Sequence, residues 1–452
     1  MKHKMTANSA RAGHETARIP TADIVDTLNE QSPGTAAATL ESLPDDRAVK
    51  ALDRPELDVA SEILAELPDE RAATLISQMS ADRAADVLGE MDTAHRESIL
   101  AYLEPDVRGS LIALLHYSPE SAGGIMTTEF VSMPSTATVG ETLDHIRTVE
   151  RDRETVYAIY LLDPGTHHVV GTVSLRQIVS AEPDDPVYPL SLKRPLYSVC
   201  PDTDREEVAL LISRHDLLAI PVLDGKGQIL GIVTVDDVID AIVAEGTEDA
   251  QKFGGMEALG RPYMQIGFGG MIKKRAGWLC ALFLSEMLTA SAMQHFEGEL
   301  EKAIVLTLFI PLIMSSGGNS GSQATSLIIR ALALGQLKLK DWWRVALREL
   351  PTGIVLGAIL GLVGIARIAL WQKLGFYDYG PHWVLVAATV GTGLIGIVTF
   401  GSLCGSMLPF ILQRLKFDPA SASAPFVATL VDVTGLVIYF SVALAILSGT
   451  LL

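Results

Sequence analysis

Three polar side chains stand inside stretches that are otherwise apolar enough to cross a membrane. Asp432 lies within PFVATLVDVTGLVIYF, and Asn319 and Gln323 lie within PLIMSSGGNSGSQ. A carboxylate in a bilayer is costly and marks an ion or proton path by default. Close helix packing explains the small residues around Asn319, but it explains the two amides less readily. Glu286, in another apolar stretch, is a further acid for which a structural and a functional role are equally open.

A membrane domain must position these residues. Long apolar stretches predict five spans, at residues 276–295, 303–330, 346–371, 382–412 and 425–450. Several exceed the roughly 20 residues that a bilayer requires, which implies tilt or breaks. Glycine-rich backbone is tolerated at membrane depth only inside protein or along a watery cavity. We therefore expect a break in the second span near residues 317–321, and a break or kink in the fourth near residues 401–409.

The distribution of basic residues predicts the orientation of the spans. With the N-terminus inside, basic residues fall on the inner connections at 273–275, 338–348 and 414–416, whereas the first outer connection is mostly acidic. The C-terminus is then outside the cell membrane. The N-terminus is polar and lacks the apolar core of a signal peptide. The three cysteines are too widely spaced for a disulfide framework or a metal site, so we expect the soluble half in the cytoplasm.

Charge separates the two halves of the chain. Residues 271–452 hold 13 Lys and Arg and 9 Asp and Glu, so by difference from the whole-chain charge of −19 residues 1–270 carry −23. A surface this acidic disfavours nucleic acid, whose phosphates need basic partners. It suits divalent cations, although a merely solubilising surface explains the charge as well.

A repeat fills much of the acidic half after a polar segment, residues 1–35, that we expect to be disordered. The copies start at Leu43-Pro-Asp-Asp-Arg, Leu67-Pro-Asp-Glu-Arg, Met79-Ser-Ala-Asp-Arg, Met91-Asp-Thr-Ala-His and Leu103-Glu-Pro-Asp-Val. Each predicts a short helix with acids in its first turn, where the helix dipole favours them. Short helices cannot bury their faces alone, so the pattern predicts a superhelix of stacked repeats.

From residue 123 the pattern changes to strands alternating with helices, and it does so twice. Apolar runs at 156–162, 169–174, 218–223 and 229–234 are bounded by turn residues and predict buried strands. The runs PVLDGKGQILGIVTVDDVIDAI and YLLDPGTHHVVGTVSLRQIV resemble a tandem pair of CBS domains, an α/β module that senses adenosine nucleotides or ions. That resemblance implies a ribose site at Thr234 and Asp237, and hence a possible ATP cofactor. In the first copy Ser174 is followed by Arg176 and Gln177, so one nucleotide site per pair is expected at most.

The order of these parts resembles the MgtE family of magnesium channels, from about residue 39 to the end. The membrane motifs PLIMSSGGNSGSQ and DPASASAPFVATLVDVTG carry that resemblance. It implies a multidomain fold: an α-helical superhelix, an α/β tandem CBS pair and an all-α polytopic membrane domain with five transmembrane helices. The expected domains are a disordered segment 1–35, a repeat domain 36–122, CBS domains 123–185 and 186–245, a connecting plug helix 246–270 and a membrane domain 271–452.

The resemblance also implies a function and a partner. It implies a homodimer that takes up Mg2+ through a pore between the protomers, with the plug helix closing it. Mg2+ prefers octahedral oxygen coordination and loses its waters reluctantly, so Asp432 and Asn319 would accept hydrogen bonds from the hydrated ion. Broken backbone would add oxygens at Gly317, Gly318, Gly321 and Gly435.

The acidic half is expected to close the pore when internal Mg2+ is high. Mg2+ would bridge carboxylates and favour the closed arrangement by differential binding. From the resemblance and the local charge, the candidate regulatory ligands are Asp204, Glu206, Asp224, Asp237, Asp240, Glu245, Glu248, Asp249 and Glu257, with Asp69 and Asp92 on the repeats. A solvated surface explains any one of them equally well.

Three alternatives stay open. The pore could serve another divalent ion such as Co2+ or Mn2+, although the spans favour a hard, oxygen-bound ion over a soft one. A nucleotide-sensing membrane receptor that carries no ion is the second, but it would need neither Asp432 nor a polar second span. An enzyme is the least expected class, because the soluble half shows no nucleophile and base, phosphate-binding loop or metal-ligand cluster.

Overall fold

The computed structural model describes residues 20–149, 155–192 and 195–451. The chain divides into two compact units, residues 1–243 and 244–452, each of which is described by itself. Within the described residues, the first unit begins with eight short helices: α1 Thr21–Asn29, α2 Pro33–Glu41, α3 Asp45–Leu52, α4 Ala60–Ala65, α5 Asp69–Ile76, α6 Ala81–Glu90, α7 Thr93–Tyr102 and α8 Pro105–Leu114.

The repeats fold as expected. Each helix from α1 to α6 packs against the helix two places further along the chain, which gives a stacked superhelix. The apolar residue that opens each repeat is buried: Leu43, Leu67, Met79, Met91 and Leu103. It anchors the chain just before the helix starts, and the acids of the first turn stay near the helix N-terminus.

The expectation of disorder over residues 1–35 is wrong for its described part. Helix α1 and the start of α2 occupy this region, and the repeat domain therefore begins before residue 36. Ile24, Val25 and Leu28 of α1 are buried, because their spacing places them on one face of the helix. Residues 1–19 lie outside the described residues.

Two similar α/β halves complete the first unit. The first contains β1 Val131–Pro134, α9 Val139–Val149, β2 Ala158–Leu162, β3 Val169–Ser174, α10 Leu175–Val179 and α11 Tyr188–Ser191, and the second contains α12 Arg205–His215, β4 Ala219–Leu223 and β5 Ile229–Thr234. Strand β2 pairs in parallel with β1 and antiparallel with β3. In the second half β4 pairs antiparallel with β5, and the parallel bridge between Val199 and Val222 stands where β1 stands in the first.

Helix α13, Val235–Phe253, follows β5 directly and continues past the predicted domain boundary at residue 245. The predicted plug helix over 246–270 is correspondingly wrong in its bounds. The helix ends before Gly254 and Gly255, and Gly255 has a φ of 77°, a conformation that glycine adopts without strain. Residues 254–267 are otherwise irregular, apart from the short 3-10 helix Tyr263–Gln265.

Five helices of the second unit are long and apolar enough to cross a membrane, by length and composition, among the residues that the structure describes. They are α14 Phe268–His295, α16 Ile310–Ala333, α17 Trp342–Leu374, α18 Trp383–Arg414 and α19 Ala424–Leu447, with the short α15 Glu297–Lys302 and the 3-10 helix Ile304–Phe309 between the first two. The number of predicted spans is confirmed, and the helices are longer than the apolar runs at several ends.

The predicted break in the second span is wrong, because α16 runs without interruption through its glycines. Helix α18 is also continuous through Pro409, so a break there is wrong as well, and the kink stays a prediction. The glycines instead let neighbouring helices approach each other. A Cβ added at Gly317 would lie 2.5 Å from Ile397 and 2.7 Å from Val431, and one added at Gly321 would lie 2.7 Å from Val427. Within a continuous helix the backbone N–H and C=O groups are hydrogen-bonded to one another. These glycines therefore expose no unpaired backbone groups to lipid and need no watery cavity.

Candidate functional site

Asp432 lies in the first half of α19 and is partly buried. The helix starts at Ala424, after Ser423 caps it by accepting a hydrogen bond from the Phe426 backbone N–H at 3.3 Å. Within the described part of the chain no hydrogen bond or ion pair holds the Asp432 carboxylate, and the nearby charge that acts on it belongs to Glu286. An acid in this position is available to a cation from outside the chain.

A polar stripe on α16 accompanies Asp432 in the second unit. Ser315, Asn319, Gln323 and Ser326 are all exposed, and their spacing of three or four residues places them on one side of the helix. Asn319 Nδ2 donates to Ser315 Oγ at 3.4 Å. Because lipid disfavours such a stripe, it belongs against protein or along a polar path.

The four glycines predicted to line the pore, Gly317, Gly318, Gly321 and Gly435, are all buried in the membrane unit. The carbonyl oxygen of Gly321 accepts the Thr325 hydroxyl at 2.9 Å. Because the backbone is unbroken, the glycine carbonyl groups are not freed for an ion. Among the predicted pore residues, Asp432 and Asn319 then remain as the ones with polar side chains.

Two predicted regulatory acids, Glu248 and Asp249, lie near one lysine in the second unit. Lys252 Nζ lies 2.5 Å from Glu248 Oε1 and 2.6 Å from Asp418 Oδ2. Burial, together with the charges of Asp418 and Glu245, raises the pKa of Asp249 to about 6. Partial burial acts to lower the pKa of Lys252, but its hydrogen bonds to Asp418 and Glu248 outweigh that and raise it. Sequence reasoning missed Asp418, which reaches this group only through the fold.

The irregular segment after α13 packs on the starts of two membrane helices. Gly255 lies beside Trp278 and Pro425, and Trp278 Nε1 donates to Ser423 Oγ at 3.2 Å. The backbone N–H of Glu257 donates to the Lys274 carbonyl at 3.2 Å, while the Glu257 side chain is exposed. The segment predicted to act as a plug is thus held against the helix that bears Asp432.

A second acidic group lies in the first unit, where α6 meets the start of α13. Burial, together with the charge of Asp82, raises the pKa of Asp237 to about 8. Burial likewise raises the pKa of Asp82, whose Oδ1 is buried and has no hydrogen-bond partner among the described residues. Asp86 lies one turn further along α6 and is exposed. Its negative charge and that of Asp82 repel each other. Asp240 is exposed nearby, and partial burial and the charge of Glu56 raise its pKa.

Sequence reasoning missed Asp82 and Asp86. The available signal was the repeat itself, because the third copy carries an acid at its fourth residue and again four residues later, which places both on one face of α6. Their partner Asp237 is more than 150 residues away in the sequence. No local pattern connects them.

Other predicted ligands have local structural roles. Asp204 caps α12 by accepting from the Glu206 N–H at 2.8 Å, and Asp224 closes the β4–β5 turn by accepting from the Lys226 and Gln228 N–H groups. Asp92 caps α7 and contacts His95, and Asp69 accepts the hydroxyl of Ser98. Hydrogen bonds from backbone N–H groups lower the pKa of Asp224. Among the described residues no three acids, histidines or cysteines form a complete metal-binding group.

The two residues of the predicted ribose site lie together. Thr234 is buried, and its hydroxyl donates to Asp237 Oδ2. Nucleotide binding at this pair stays a prediction.

Protein-family models match three parts of the chain. The model described as "Divalent cation transporter" matches residues 310–442, "MgtE intracellular N domain" matches residues 19–120, and "CBS domain" matches residues 190–244. Together with the five membrane helices, these matches define the class: a multi-pass membrane protein of the divalent-cation transporter type, with a repeat domain and CBS domains.

Relatives identify the family within that class. The chain is 40% identical over 356 residues to "Magnesium transporter MgtE" of Thermus thermophilus, covering 79% of this chain and 76% of the relative. It is 36% identical to the protein of the same name from Enterococcus faecalis, covering 74% and 71%. A solved structure, "Crystal structure of the cytosolic domain of the Mg2+ channel MgtE in complex with ATP", is 32% identical with a TM-score of 0.48, covering 53% of this chain and 97% of that one. The chain belongs to the MgtE family.

Proposed function

We propose that this protein carries Mg2+ across the cell membrane along a path that includes Asp432 and the polar stripe of α16. The observation that carries the proposal is a partly buried carboxylate in an apolar helix of the membrane unit, to which no Lys or Arg among the described residues is bound. The names of the relatives supply the identity of the ion. Their membrane segments and this one share a family that transports divalent cations.

The chemistry of Mg2+ fits these groups. The ion is small and keeps its waters, so the Asp432 carboxylate and the Asn319 amide oxygen would accept hydrogen bonds from bound water. The exposed polar stripe and Asp432 would be covered by a second copy of the chain, which would place two carboxylates near one axis. A membrane potential of about 100 mV, negative inside, would favour entry by about 4.6 kcal/mol for a divalent ion.

The acidic groups would close the path when internal Mg2+ is high. When they are ionised, Asp82 and Asp237 carry like charges close together, and Asp249 and Asp418 do the same in the second unit. A divalent cation that neutralises them favours the arrangement in which they are close, and without it their repulsion opposes that arrangement. This regulation requires the first unit to face the cytoplasm, as the basic inner connections support.

Flux of Mg2+ into proteoliposomes tests the proposal. Asp432→Asn keeps the size of the side chain and removes its charge, so we expect at least a tenfold loss of the initial rate, as for a lost charge-assisted hydrogen bond. Glu349→Gln makes the same change in α17 and should leave the rate near that of the native protein. An Asp432→Asn protein with native flux would place the site elsewhere, and no Mg2+ flux through the folded native protein would refute the transport function.

A further inference from the structure

Glu286 lies on α14, the first membrane helix, and is exposed on its surface. Two contacts fix the alignment of α14 with α19. Near one end, the ring of Trp278 lies 6.5 Å from that of Phe426. Further along, Phe296 stacks on Phe440 with ring centroids 4.9 Å apart. Because residue numbers increase in both helices from the first contact to the second, the two helices run parallel.

This alignment places Glu286 at the depth of Asp432. Glu286 is eight residues beyond Trp278, and Asp432 is six residues beyond Phe426 and nine beyond Ser423, which Trp278 also contacts. With a rise of about 1.5 Å per residue, both acids lie roughly 9–14 Å beyond the Trp278 contact. Their charges act on each other.

Thr289 provides an independent sign that something binds here. It is the one buried residue on α14 among those described, with 5% of its surface exposed, and its hydroxyl has no hydrogen-bond partner in the described part of the chain. Threonine in a membrane helix usually donates to the carbonyl four residues back, as Thr429 and Thr434 do on α19. Thr289 follows Glu286 by three residues, so both side chains lie on the same side of α14.

No basic residue neutralises this pair along the two helices. From residue 276 to 295 and from 424 to 447 the chain has no Lys or Arg. Two carboxylates at one depth in an apolar medium need a cation or a shared proton, because the medium strengthens their repulsion. An unpartnered hydroxyl next to them adds an oxygen that could bond a water molecule of a hydrated ion.

We infer that Glu286 is a further binding residue of the ion path, which binds a hydrated divalent cation together with Asp432 and the Thr289 hydroxyl. The inference rests on the proposed transport function. Glu286 adds a second carboxylate to the one that each protomer supplies through Asp432. Waters of the ion bridge to the three side chains, which need not reach the metal themselves.

The test measures the initial Mg2+ flux of full-length protein in proteoliposomes against the external Mg2+ concentration. Glu286→Gln should raise the half-saturating concentration about tenfold, and Glu286→Asp should raise it less because it retains the charge. Glu349→Gln, the same change on α17, should not alter it. A native half-saturating concentration in folded Glu286→Gln overturns the inference. If the two acids instead share a proton, lowering the pH would shift the native flux while Glu286→Gln left the half-saturating concentration unchanged, which also overturns it.

Thr289→Val separates binding from packing. Valine has nearly the same shape and removes the unpartnered hydroxyl, so packing alone predicts equal or higher thermal stability with unchanged Mg2+ dependence. The inference predicts the same stability but a half-saturating concentration raised several-fold, and an unchanged value contradicts it even if Glu286→Gln fails to fold. Loss of flux in Asp432→Asn with native values in both other variants would refute this inference and leave the transport function standing.

Discussion

At the scale of single residues, neighbouring acids of the first unit repel each other when they are ionised. Asp237 is partly buried beside Asp82, and its pKa is raised to about 8. A folded-state pKa above the unfolded value means that the folded protein binds more protons between about pH 4 and pH 8, so stability is lost as the pH rises through that window. The folded cluster is therefore least stable near pH 8 and above, where its acids are ionised and a divalent cation would neutralise their charge most effectively.

Asp237→Asn should relieve this repulsion. The amide oxygen can still accept the Thr234 hydroxyl, so at pH 8 without Mg2+ we expect stability to rise by on the order of 1–2 kcal/mol after allowance for solvent screening. The gain should shrink at pH 5, where the native acid is already protonated. Thermal unfolding of the full chain at both pH values measures the change.

A matched control is Asp144→Asn, at an exposed acid on α9 that pairs with Arg147. It should shift stability by less than about 0.5 kcal/mol. Equal stabilisation by both variants would mean that net charge, and not this cluster, sets the pH dependence.

At the scale of elements, the glycines of α16 act by their size. Gly317 is surrounded by Ile397 and Val431, so Gly317→Ala should cost about 1–3 kcal/mol through overpacking. Gly277→Ala in α14 meets no neighbouring atom within 4 Å and should be neutral or slightly stabilising, because alanine favours helix. Thermal unfolding in detergent compares the two. A stable Gly317→Ala protein with altered ion selectivity would restore the role of Gly317 as an oxygen donor.

The elements that the sequence predicts correctly are those with a local signal. Repeat starts such as Leu67 and strands such as 229–234 follow from periodic apolar residues, and the five spans follow from length and hydropathy. The glycine run of α16 fits a broken helix and a closely packed one equally well. Ile397 and Val431, which are distant from Gly317 in the sequence, pack against it in the fold and show that the helix is closely packed. The juxtapositions of Asp82 with Asp237 and of Glu286 with Asp432 also depend on tertiary packing, which is why no spacing in the sequence reveals them.

At the scale of the whole molecule, α13 connects the two acidic groups through one continuous helix. Asp237 lies in its first turn and Lys252, bonded to Asp418, in its last. A cation bound at one end of a helix can influence the other end only if it favours one arrangement over another. Under the proposed regulation, repulsion between Asp82 and Asp237 would supply that preference, because its strength depends on whether the cluster is neutralised.

Asp82→Asn should therefore weaken the control of flux by internal Mg2+. The variant removes both a ligand and the repulsion that the ligand relieves, so binding no longer distinguishes the two arrangements. We expect the ratio of flux at low internal Mg2+ to flux at high internal Mg2+ to fall about fivefold or more, the size of a typical coupling between sites. Proteoliposomes loaded with graded Mg2+ measure that ratio, with Asp144→Asn as the control that keeps it. A native ratio in a folded Asp82→Asn protein would show that closure does not use this cluster, and Asp249 with Asp418 would then be the group that senses the ion.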